Sequence, residues 1–427
     1  MEQAVRKIAL LGMGTVGGGV YEIIEKQKEE MPFKIGAALE VVKVLVRNKA
    51  KYADRIPAEK LTDVWEDVIG DDSIDIVVEV MGGIEPARTY IKAALEKGKH
   101  VVTANKDLMA MHGHELLELA GEHHCDLLFE AAVAGGPLKQ CLAGNNITEI
   151  MGIINGTTNF ILTKMKEDGM DFGEALQQAT DLGYAEADPT ADIEGYDAGR
   201  KLAIMASIAF HTPVTFDDVF TEGITKITAK DMRYAKEMGC SIKLLGIAKN
   251  TETGIEVKVH PTMIPENHPL AAVNDSFNAV FVHGDAVDDA MFYGRGAGAL
   301  PTGSAVVGDI MDVARNMLFH CNGRIGCSCY KNLPIKRIGD TTSRYYIRMR
   351  LEDRAGTLAA MAGVFAENDA SIAILLQKET IENDAEIVVV THDVAEKKFM
   401  DAIKKFSSME MVKEISSIIR VYALGNI

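Results

Sequence analysis

The chain is poor in cysteine and in positive charge, and it has no long apolar run. Six cysteines among 427 residues are too few for a secreted disulfide framework, so we expect a cytoplasmic protein. Lysine and arginine number 45 against 62 acidic residues, a net charge of −17. This balance argues against nucleic-acid and anionic-membrane partners, which need a basic face. The N-terminus resembles a strand rather than a signal peptide, and no apolar stretch is long enough to span a membrane.

Strand-like and helical runs alternate through the first part of the chain, and its length suggests about three domains. Short buried-type strands are expected at RKIALL (6–11), EVVKVLV (40–46), IDIVVEVMGG (74–83), KHVVTANK (99–106) and LLFEAAV (127–133). Strands and helices in this order are typical of a parallel sheet with helices on both faces. We therefore predict an α/β fold whose first domain, residues 1–130, is a Rossmann-type dinucleotide-binding domain completed by about 300–320.

The pattern changes after residue 130. Two alternating runs, SIKLLGIAKN and GIEVKVHPTMI, predict an open sheet in an α+β substrate-binding and dimerisation domain at 131–300. Residues 318–343 resemble a linker, and 344–427 show the strand and helix order of a ferredoxin-like βαββαβ domain. Because an open sheet needs its apolar face covered, we expect a homodimer or a homotetramer.

Three glycines form a turn between the first strand and the first helix. Gly12, Gly14 and Gly17 make G-x-G-x-x-G, which permits a tight turn, a close approach of backbone to a pyrophosphate, and close packing of helix on strand. The N–H groups at the helix start then face the anion. We predict that residues 12–17 (Gly12, Met13, Gly14, Thr15, Val16 and Gly17) bind a dinucleotide.

The residue after the second strand indicates which dinucleotide is preferred. An NAD site usually has an acidic residue there for the ribose hydroxyls, whereas an arginine suits a 2′-phosphate. This chain has Arg47, followed by Lys49 and Lys51. We therefore predict a preference for NADP(H), with NAD(H) possible.

An acidic segment, YAEADPTADIEGYDAGRK (184–201), ends on two basic residues. Asp197 and Lys201 are four residues apart at the start of a predicted apolar helix, so they share a helix face. Lys106 follows a parallel strand at the sheet edge that faces the ligand crevice. Hydride transfer to an aldehyde needs a proton donor for the oxygen, and a lysine can supply it. The carboxylates suit a substrate that carries an ammonium group, so we expect a small amino acid.

The cluster CNGRIGCSC, with Cys321, Cys327 and Cys329, is the one cysteine group in which a metal or redox role is imaginable. The C-x-C motif has no second cysteine pair to complete a metal site, so a purely structural role is favoured. The role of these three cysteines stays open.

The acidic segment resembles the signature of the homoserine dehydrogenase family. Residues 179–201 fit it at Ala179, Gly183, Tyr184, Ala185, Asp188, Pro189, Asp192, Ile193, Gly195, Asp197 and Lys201. TANK (103–106), INGTTNF (154–160) and GRGAGALPTGSAV (294–306) are similar to other segments of that family, in the same order. The resemblance covers about 1–340, and the tail resembles an ACT regulatory domain.

The resemblance implies an NADP(H)-dependent enzyme that interconverts L-aspartate 4-semialdehyde and L-homoserine. It implies that Lys201 is the proton donor and acceptor, that Asp197 supports it, and that Lys106 is a second catalytic lysine. The implied substrate residues are Glu186, Asp192, Thr157 and Tyr184. Thr103, Lys106, Gly156 and Gly303 would line the cofactor site. A structural monovalent cation, usually sodium, would be held by Glu130 and the carbonyl groups of Val133, Gly135 and Pro137.

The ACT-like tail implies regulation by a small effector. Gly356 and Asn368 match positions at which ACT domains receive effectors between paired copies, and L-threonine is the expected inhibitor. The alternative for the tail is a purely structural dimerisation module. Two alternatives for the whole chain are a dehydrogenase of another small amino-acid aldehyde and a non-catalytic sensor of NADP and amino acids.

Overall fold

A computed structural model describes residues 4–133, 142–324, 329–381 and 384–423, without the side chains of 378–381. Its first unit contains six strands and five helices: β1 (Ala4–Leu11), α1 (Thr15–Lys26), α2 (Met31–Ile35), β2 (Ala37–Leu45), β3 (Leu61–Thr62), α3 (Glu66–Ile69), β4 (Ile76–Glu79), α4 (Ala87–Glu96), β5 (His100–Thr103), α5 (Lys106–Glu122) and β6 (Leu127–Leu128). All six strands are parallel, in the order β3-β2-β1-β4-β5-β6. This order is that of a doubly wound dinucleotide-binding sheet, so the predicted fold class is confirmed.

One predicted strand is much shorter than expected. Of LLFEAAV, only Leu127 and Leu128 are in a strand, and Glu130–Val133 form a 3₁₀ turn. The chain leaves the sheet here because the backbone N–H of Glu130 donates to Asp309 Oδ2 at 2.8 Å, on a later helix, instead of pairing with a strand.

The second unit contains six strands and six helices. They are β7 (Ile147–Ile153), α6 (Gly156–Glu167), α7 (Phe172–Asp181), α8 (Thr190–Ile193), α9 (Tyr196–Phe210), β8 (Phe220–Thr221), α10 (Ala229–Glu237), β9 (Cys240–Thr251), β10 (Gly254–Pro265), β11 (Phe277–Gly284), β12 (Asp288–Arg295) and α11 (Ala299–Leu318). Helix α11 lies against α1, and Gly19 and Gly303 permit the contact. A Cβ on Gly19 would lie 2.0 Å from Ala299 O, and one on Gly303 would lie 2.9 Å from the backbone of Gly19.

The C-terminal unit has the βαββαβ order that the sequence predicts. Its elements are β13 (Thr342–Glu352), α12 (Thr357–Glu367), β14 (Ile372–Ile381), β15 (Asp384–Thr391), β16 (Val394–Ala395), α13 (Glu396–Ser407) and β17 (Val412–Val421). The four long strands are ordered β17-β13-β15-β14.

The sheets of the second and third units are continuous, which the sequence analysis did not anticipate. Strand β17 pairs in parallel with β10 through two residue pairs, Thr262 with Arg420 and Met263 with Val421. The edge of β10, which would otherwise expose unpaired backbone groups, is thereby covered. The sheet expected to stand alone in residues 131–300 is therefore part of a larger one. No helix in the described part of the chain is long and apolar enough to cross a membrane.

Candidate active site

A cleft of about 690 Å³ lies beside the start of α5, at the carboxyl end of β5. Helices α6 and α9, the segment that joins α7 to α8, strands β11 and β12 and the start of α11 contribute to its other walls. Its lining includes Lys106, Thr157, Glu186, Asp192, Asp197 and Lys201. The ligand crevice of a doubly wound sheet lies outside the carboxyl ends of its strands, so this is the expected place for a substrate.

Asp197 is at the centre of the polar contacts in this cleft. Its Oδ1 lies 2.7 Å from Lys106 Nζ, and its Oδ2 lies 2.8 Å from Lys201 Nζ. Lys201 also donates to the carbonyl oxygen of Ile154 at 2.8 Å. Asp197 and Lys201 are buried, whereas the side chain of Lys106 keeps about a third of its surface exposed. The structure therefore brings together the three residues predicted to be catalytic.

Local sequence explains how these side chains reach one point. Gly195 has φ +81°, a left-handed conformation that suits glycine, and α9 begins directly after it. Asp197 is in the first turn of α9, and Lys201 lies one turn further along the same face. Lys106 is the first residue of α5, whose N-terminus is capped by Asn105.

The electrostatics of the cleft depend on burial and on the paired charges. Burial raises the pKa of Asp197, but the charges of Lys201 and Lys106 outweigh it and hold this pKa far below its usual range. Burial lowers the pKa of Lys106, yet the charge and hydrogen bond of Asp197 raise it above the usual value. The pKa of Asp192 is raised, mainly by burial, despite a hydrogen bond from Asn155.

Asn155 is a site residue that sequence reasoning missed. Its Nδ2 donates to Asp192 Oδ1 at 2.7 Å and to Asp197 Oδ2 at 2.9 Å. Its Oδ1 accepts from the backbone N–H of Thr158 and so caps α6. An asparagine before Gly-Thr-Thr predicts a helix cap, but nothing in its sequence context indicates the two carboxylates.

The residues predicted to contact substrate are placed around the same cleft. Thr157 donates to the carbonyl oxygen of Tyr184 at 2.8 Å and so holds the segment that carries Glu186. Tyr184 and Glu186 are exposed at the rim of the cleft, and Asp192 is half-buried inside it.

The glycine turn has the geometry that a dinucleotide phosphate needs. Gly12 has φ +100°, and a Cβ on Gly17 would lie 2.2 Å from Gly12 O. A Cβ on Gly14 would meet no described atom within 4 Å, so the space over the start of α1 is open. The backbone N–H groups at a helix start and its dipole favour an anion in such a space. The residues present therefore fit a bound pyrophosphate.

The other predicted cofactor residues are in several places. Arg47 is exposed just after β2, and Gly156 lines the cleft. Thr103 is fully buried and donates to Glu79 Oε2 at 2.7 Å. Gly303 packs against Gly19. The contribution of Thr103 and Gly303 to a cofactor site stays a prediction.

The predicted cation and cysteine sites are only partly described. Gly135, Pro137 and Cys327 lie outside the described residues, whereas Glu130 and Val133 are the two ends of one 3₁₀ turn. Among the described residues, no group of three or more His, Cys, Asp or Glu side chains is arranged to hold a metal. The sodium site stays a prediction.

The predicted effector residues lie at opposite ends of α12. Gly356, with φ +92°, precedes its first residue, and Asn368 follows its last one and donates to the carbonyl oxygen of Val364 at 2.8 Å. One copy of the chain therefore does not bring Gly356 and Asn368 together.

Comparison with known proteins identifies the family. The model of the homoserine dehydrogenase NAD-binding domain matches residues 12–130, that of homoserine dehydrogenase matches 136–311, and that of the ACT domain matches 345–408. A homoserine dehydrogenase of Corynebacterium glutamicum is 48% identical over 424 residues, which are 97% of this chain and 95% of that protein. The chain belongs to the homoserine dehydrogenase family.

Solved homoserine dehydrogenase structures agree with this assignment. The crystal structure from Thiobacillus denitrificans has a TM-score of 0.94 at 42% identity, and it covers 99% of this chain and 100% of that one. A hyperthermophilic archaeal homoserine dehydrogenase in complex with NADPH has a TM-score of 0.62 at 26% identity, covering 72% of this chain and 97% of that one. Homoserine dehydrogenases are NAD(P)-dependent oxidoreductases, so the prediction of an enzyme rather than a sensor is confirmed.

Proposed function

We propose that this homoserine dehydrogenase interconverts L-aspartate 4-semialdehyde and L-homoserine with NADP(H), and that Lys201 transfers the proton. One observation carries the assignment of roles: Asp197 is held between the ammonium groups of Lys106 and Lys201 at the wall of the cleft. When bound, the nicotinamide supplies the hydride that reduces the aldehyde carbon, or accepts it in the reverse reaction. The complex of the archaeal relative with NADPH supports the choice of cofactor.

Lys201 is placed to serve the substrate oxygen. An ammonium group has three N–H donors, and Lys201 uses two of them on Ile154 O and Asp197 Oδ2. The third is available to the aldehyde oxygen, which takes up one proton as the carbon is reduced. In the oxidative direction the neutral amine accepts the proton of the hydroxyl group. Lys106 adds a second positive charge that stabilises a developing alkoxide.

The carboxylates near the lysines suit the amino-acid part of the substrate. Glu186 at the rim and Asp192 inside the cleft would bind its ammonium group. Burial raises the pKa of Asp192, and a bound cation favours its ionised form. Thr157 holds the backbone at Tyr184 in place for this contact.

The substitution Lys201→Met tests the proton-transfer role. We expect turnover to fall by roughly 10²-fold or more, since general acid–base catalysis contributes about that much, whereas NADPH binding stays close to normal. The absorbance of the reduced nicotinamide reports turnover, and fluorescence titration reports binding. Lys164→Met is the matched control, because Lys164 also pairs with an aspartate four residues away, Asp168, but at the C-terminal end of α6 and outside the cleft. Nearly normal turnover in Lys201→Met would remove the assignment.

The substitution Arg47→Ser tests the preference for NADP(H). Arg47 is exposed beyond β2, and it has no ion pair with any residue that the structure describes, whereas Lys49 pairs with Asp63 at 2.7 Å. A hydrogen bond to a charged group contributes about 1.5–3 kcal/mol, so the NADPH-over-NADH ratio of kcat/KM should fall roughly tenfold or more. Lys49→Ser is the control and should change this ratio little. A wild-type enzyme that prefers NADH would contradict the proposal.

A further inference from the structure

A second cavity lies far along the sheet, where the catalytic and ACT units meet. It has a volume of about 110 Å³, and both units form its walls. Lys249, Lys258, His260 and Thr262 come from β9 and β10, and Arg344 and Arg420 come from β13 and β17. None of these residues belongs to the cleft described above.

The charged side chains around this junction cavity are mainly cationic. Four of them are lysine or arginine, against one carboxylate, Asp393. Arg344 is paired with Asp393 at 3.1 Å, and Arg420 is bound by Glu396 and Glu222 at 2.6 Å each. Lys249 is paired with Glu149 at 3.0 Å. Among the described residues, Lys258 is therefore the one cation of the lining whose nearest carboxylate oxygen is more than 3.5 Å away.

Lys258 has weaker partners than the arginines. Its side chain is 7% exposed, yet its Nζ lies 3.7 Å from the nearest carboxylate oxygen that the structure describes, that of Glu256. It also donates to Ser343 Oγ, at 3.3 Å. Burial lowers the pKa of Lys258 while Glu256 opposes that effect. A buried ammonium group with three donors is thus only partly satisfied.

His260 adds a second incompletely bonded group. It is 2% exposed, and its Nδ1 lies 2.9 Å from Thr262 Oγ1 and 3.0 Å from Pro261 O. In the tautomer whose Nδ1 accepts from Thr262 Oγ1, Nε2 carries the hydrogen and can donate to an anion. This Nε2 is buried and has no hydrogen-bond partner among the described residues. Buried polar groups in folded proteins are nearly always hydrogen-bonded. Because His260 and Lys258 line the same cavity and each lacks some of its hydrogen-bond partners, we expect a ligand there that forms the missing hydrogen bonds.

We propose that this cavity binds a small oxyanion, a carboxylate or a phosphate group, with Lys258 and His260 at its floor and Lys249 and Arg344 at its mouth. Its volume is several times the roughly 10–15 Å³ that one water needs in the same measure, so a phosphate ion or a small amino acid fits. The anion bridges the two units, because Lys258 belongs to the catalytic unit and Arg344 to the ACT unit. It therefore stabilises the folded chain when it binds.

The test compares the full-length chain with Lys258→Met and Lys336→Met. Lys336 is the matched control, since its Nζ also contacts Glu256, at 3.1 Å, but it lies outside the cavity. Inorganic phosphate, acetate and L-threonine are titrated separately by calorimetry in saturating NADP⁺, which occupies the phosphate-binding turn of the proposed cofactor site. We expect at least one probe to bind once per chain and to raise the unfolding temperature. Its affinity should be at least tenfold lower in Lys258→Met and unchanged in Lys336→Met.

The three probes distinguish the sources of the oxyanion. Tight phosphate binding indicates a phosphate ligand, whereas acetate or threonine binding indicates a carboxylate. Equal affinity in wild type and Lys258→Met, or no saturable binding of any probe, overturns the proposal. Should Lys258→Met fail to fold, crystals of the wild-type chain soaked in selenate decide the question. Anomalous selenium density in the cavity supports the site, and its absence there refutes it.

Discussion

Asp197 favours the protonated form of Lys106, and this effect can be measured. Its charge raises the pKa of Lys106 against the effect of burial. In Asp197→Asn the effect of burial remains while the opposing charge is lost, so the pKa of Lys106 falls. Lys106 stabilises the developing alkoxide only while it is protonated, so the rate of reduction declines as pH rises through the pKa of Lys106. We therefore expect the alkaline limb of kcat/KM for reduction to move to lower pH in Asp197→Asn.

A neighbouring aspartate provides the control for this pH profile. Asp188 is exposed, and its Oδ1 accepts a hydrogen bond from the backbone N–H of Thr190 at 3.1 Å. Asp188→Asn removes one negative charge from the cleft without touching either lysine, so its alkaline limb should stay near the wild-type position. If the alkaline limb does not move in Asp197→Asn, this carboxylate does not control the pKa of Lys106.

Some side-chain contacts of the cleft follow from the sequence, and others do not. The spacing of Asp197 and Lys201 places them on one face of a helix, and the structure has them in contact. Lys106 could be expected nearby because it follows a parallel strand at the crevice edge. The bonds from Asn155 to Asp192 and Asp197 could not be predicted. They join the start of α6 to α8 and to the first turn of α9, segments about 40 residues apart, and no local pattern encodes this contact.

A buried ion-pair network attaches helix α10 of the catalytic unit to the ACT sheet. Arg348 on β13 donates to Asp231 Oδ1 at 2.9 Å and to Glu386 Oε2 at 3.2 Å. All three residues are buried, and Asp231 is 0% exposed. Removal of Arg348 leaves Asp231 buried without a described counter-charge, whereas Glu386 keeps Lys230 at 2.8 Å. Because one charge is left buried and unpaired, Arg348→Met should cost about 3–5 kcal/mol of unfolding free energy. Urea denaturation of the full chain measures this loss.

Arg350 is the matched control for this network. It lies two residues further along β13, its side chain is 41% exposed, and its two carboxylate partners are each 3.7 Å away. Exposed pairs of this kind contribute about 0–1 kcal/mol, so Arg350→Met should change the urea midpoint little. If Arg348→Met and Arg350→Met lose the same small amount of unfolding free energy, the network does not stabilise the attachment of the ACT unit.

The strands and helices themselves are largely predictable from the sequence, but their pairing is not. Alternation of apolar and polar residues correctly predicts strands at β9 and β10. The polar side of these strands is nevertheless buried, as Lys243, Lys258 and His260 show. It is covered by the segment at 273–274, which Lys243 contacts, and by the ACT unit, which lies over Lys258. The alternation of apolar and polar residues predicts which residues share a face of a sheet, but it does not predict what covers that face.

At the scale of the whole molecule, we predict that inhibition by an effector depends on the assembly of two or more chains. Gly356 and Asn368 are at opposite ends of α12, and the 12 residue steps from one to the other span roughly 18 Å at the rise of a helix. A small effector is too short to touch both ends in one copy. Two copies that pack side by side with their α12 helices antiparallel would bring Gly356 of one near Asn368 of the other. If L-threonine binds at these positions, it therefore binds between two chains, and inhibition depends on the homodimer or homotetramer that we predict.

Threonine titrations on the full chain test this joint prediction. We expect L-threonine to reduce turnover, and Asn368→Ala to require roughly tenfold more threonine for the same inhibition, since one charge-assisted hydrogen bond is lost. Lys398→Ala is the control, because Lys398 is an exposed residue of the same unit whose carboxylate partner is Asp369. Light scattering during the titration reports the number of chains. If excess threonine does not change turnover while the chain stays a stable dimer, the paired surface forms without an effector between its two copies. The ACT unit is then a dimerisation module.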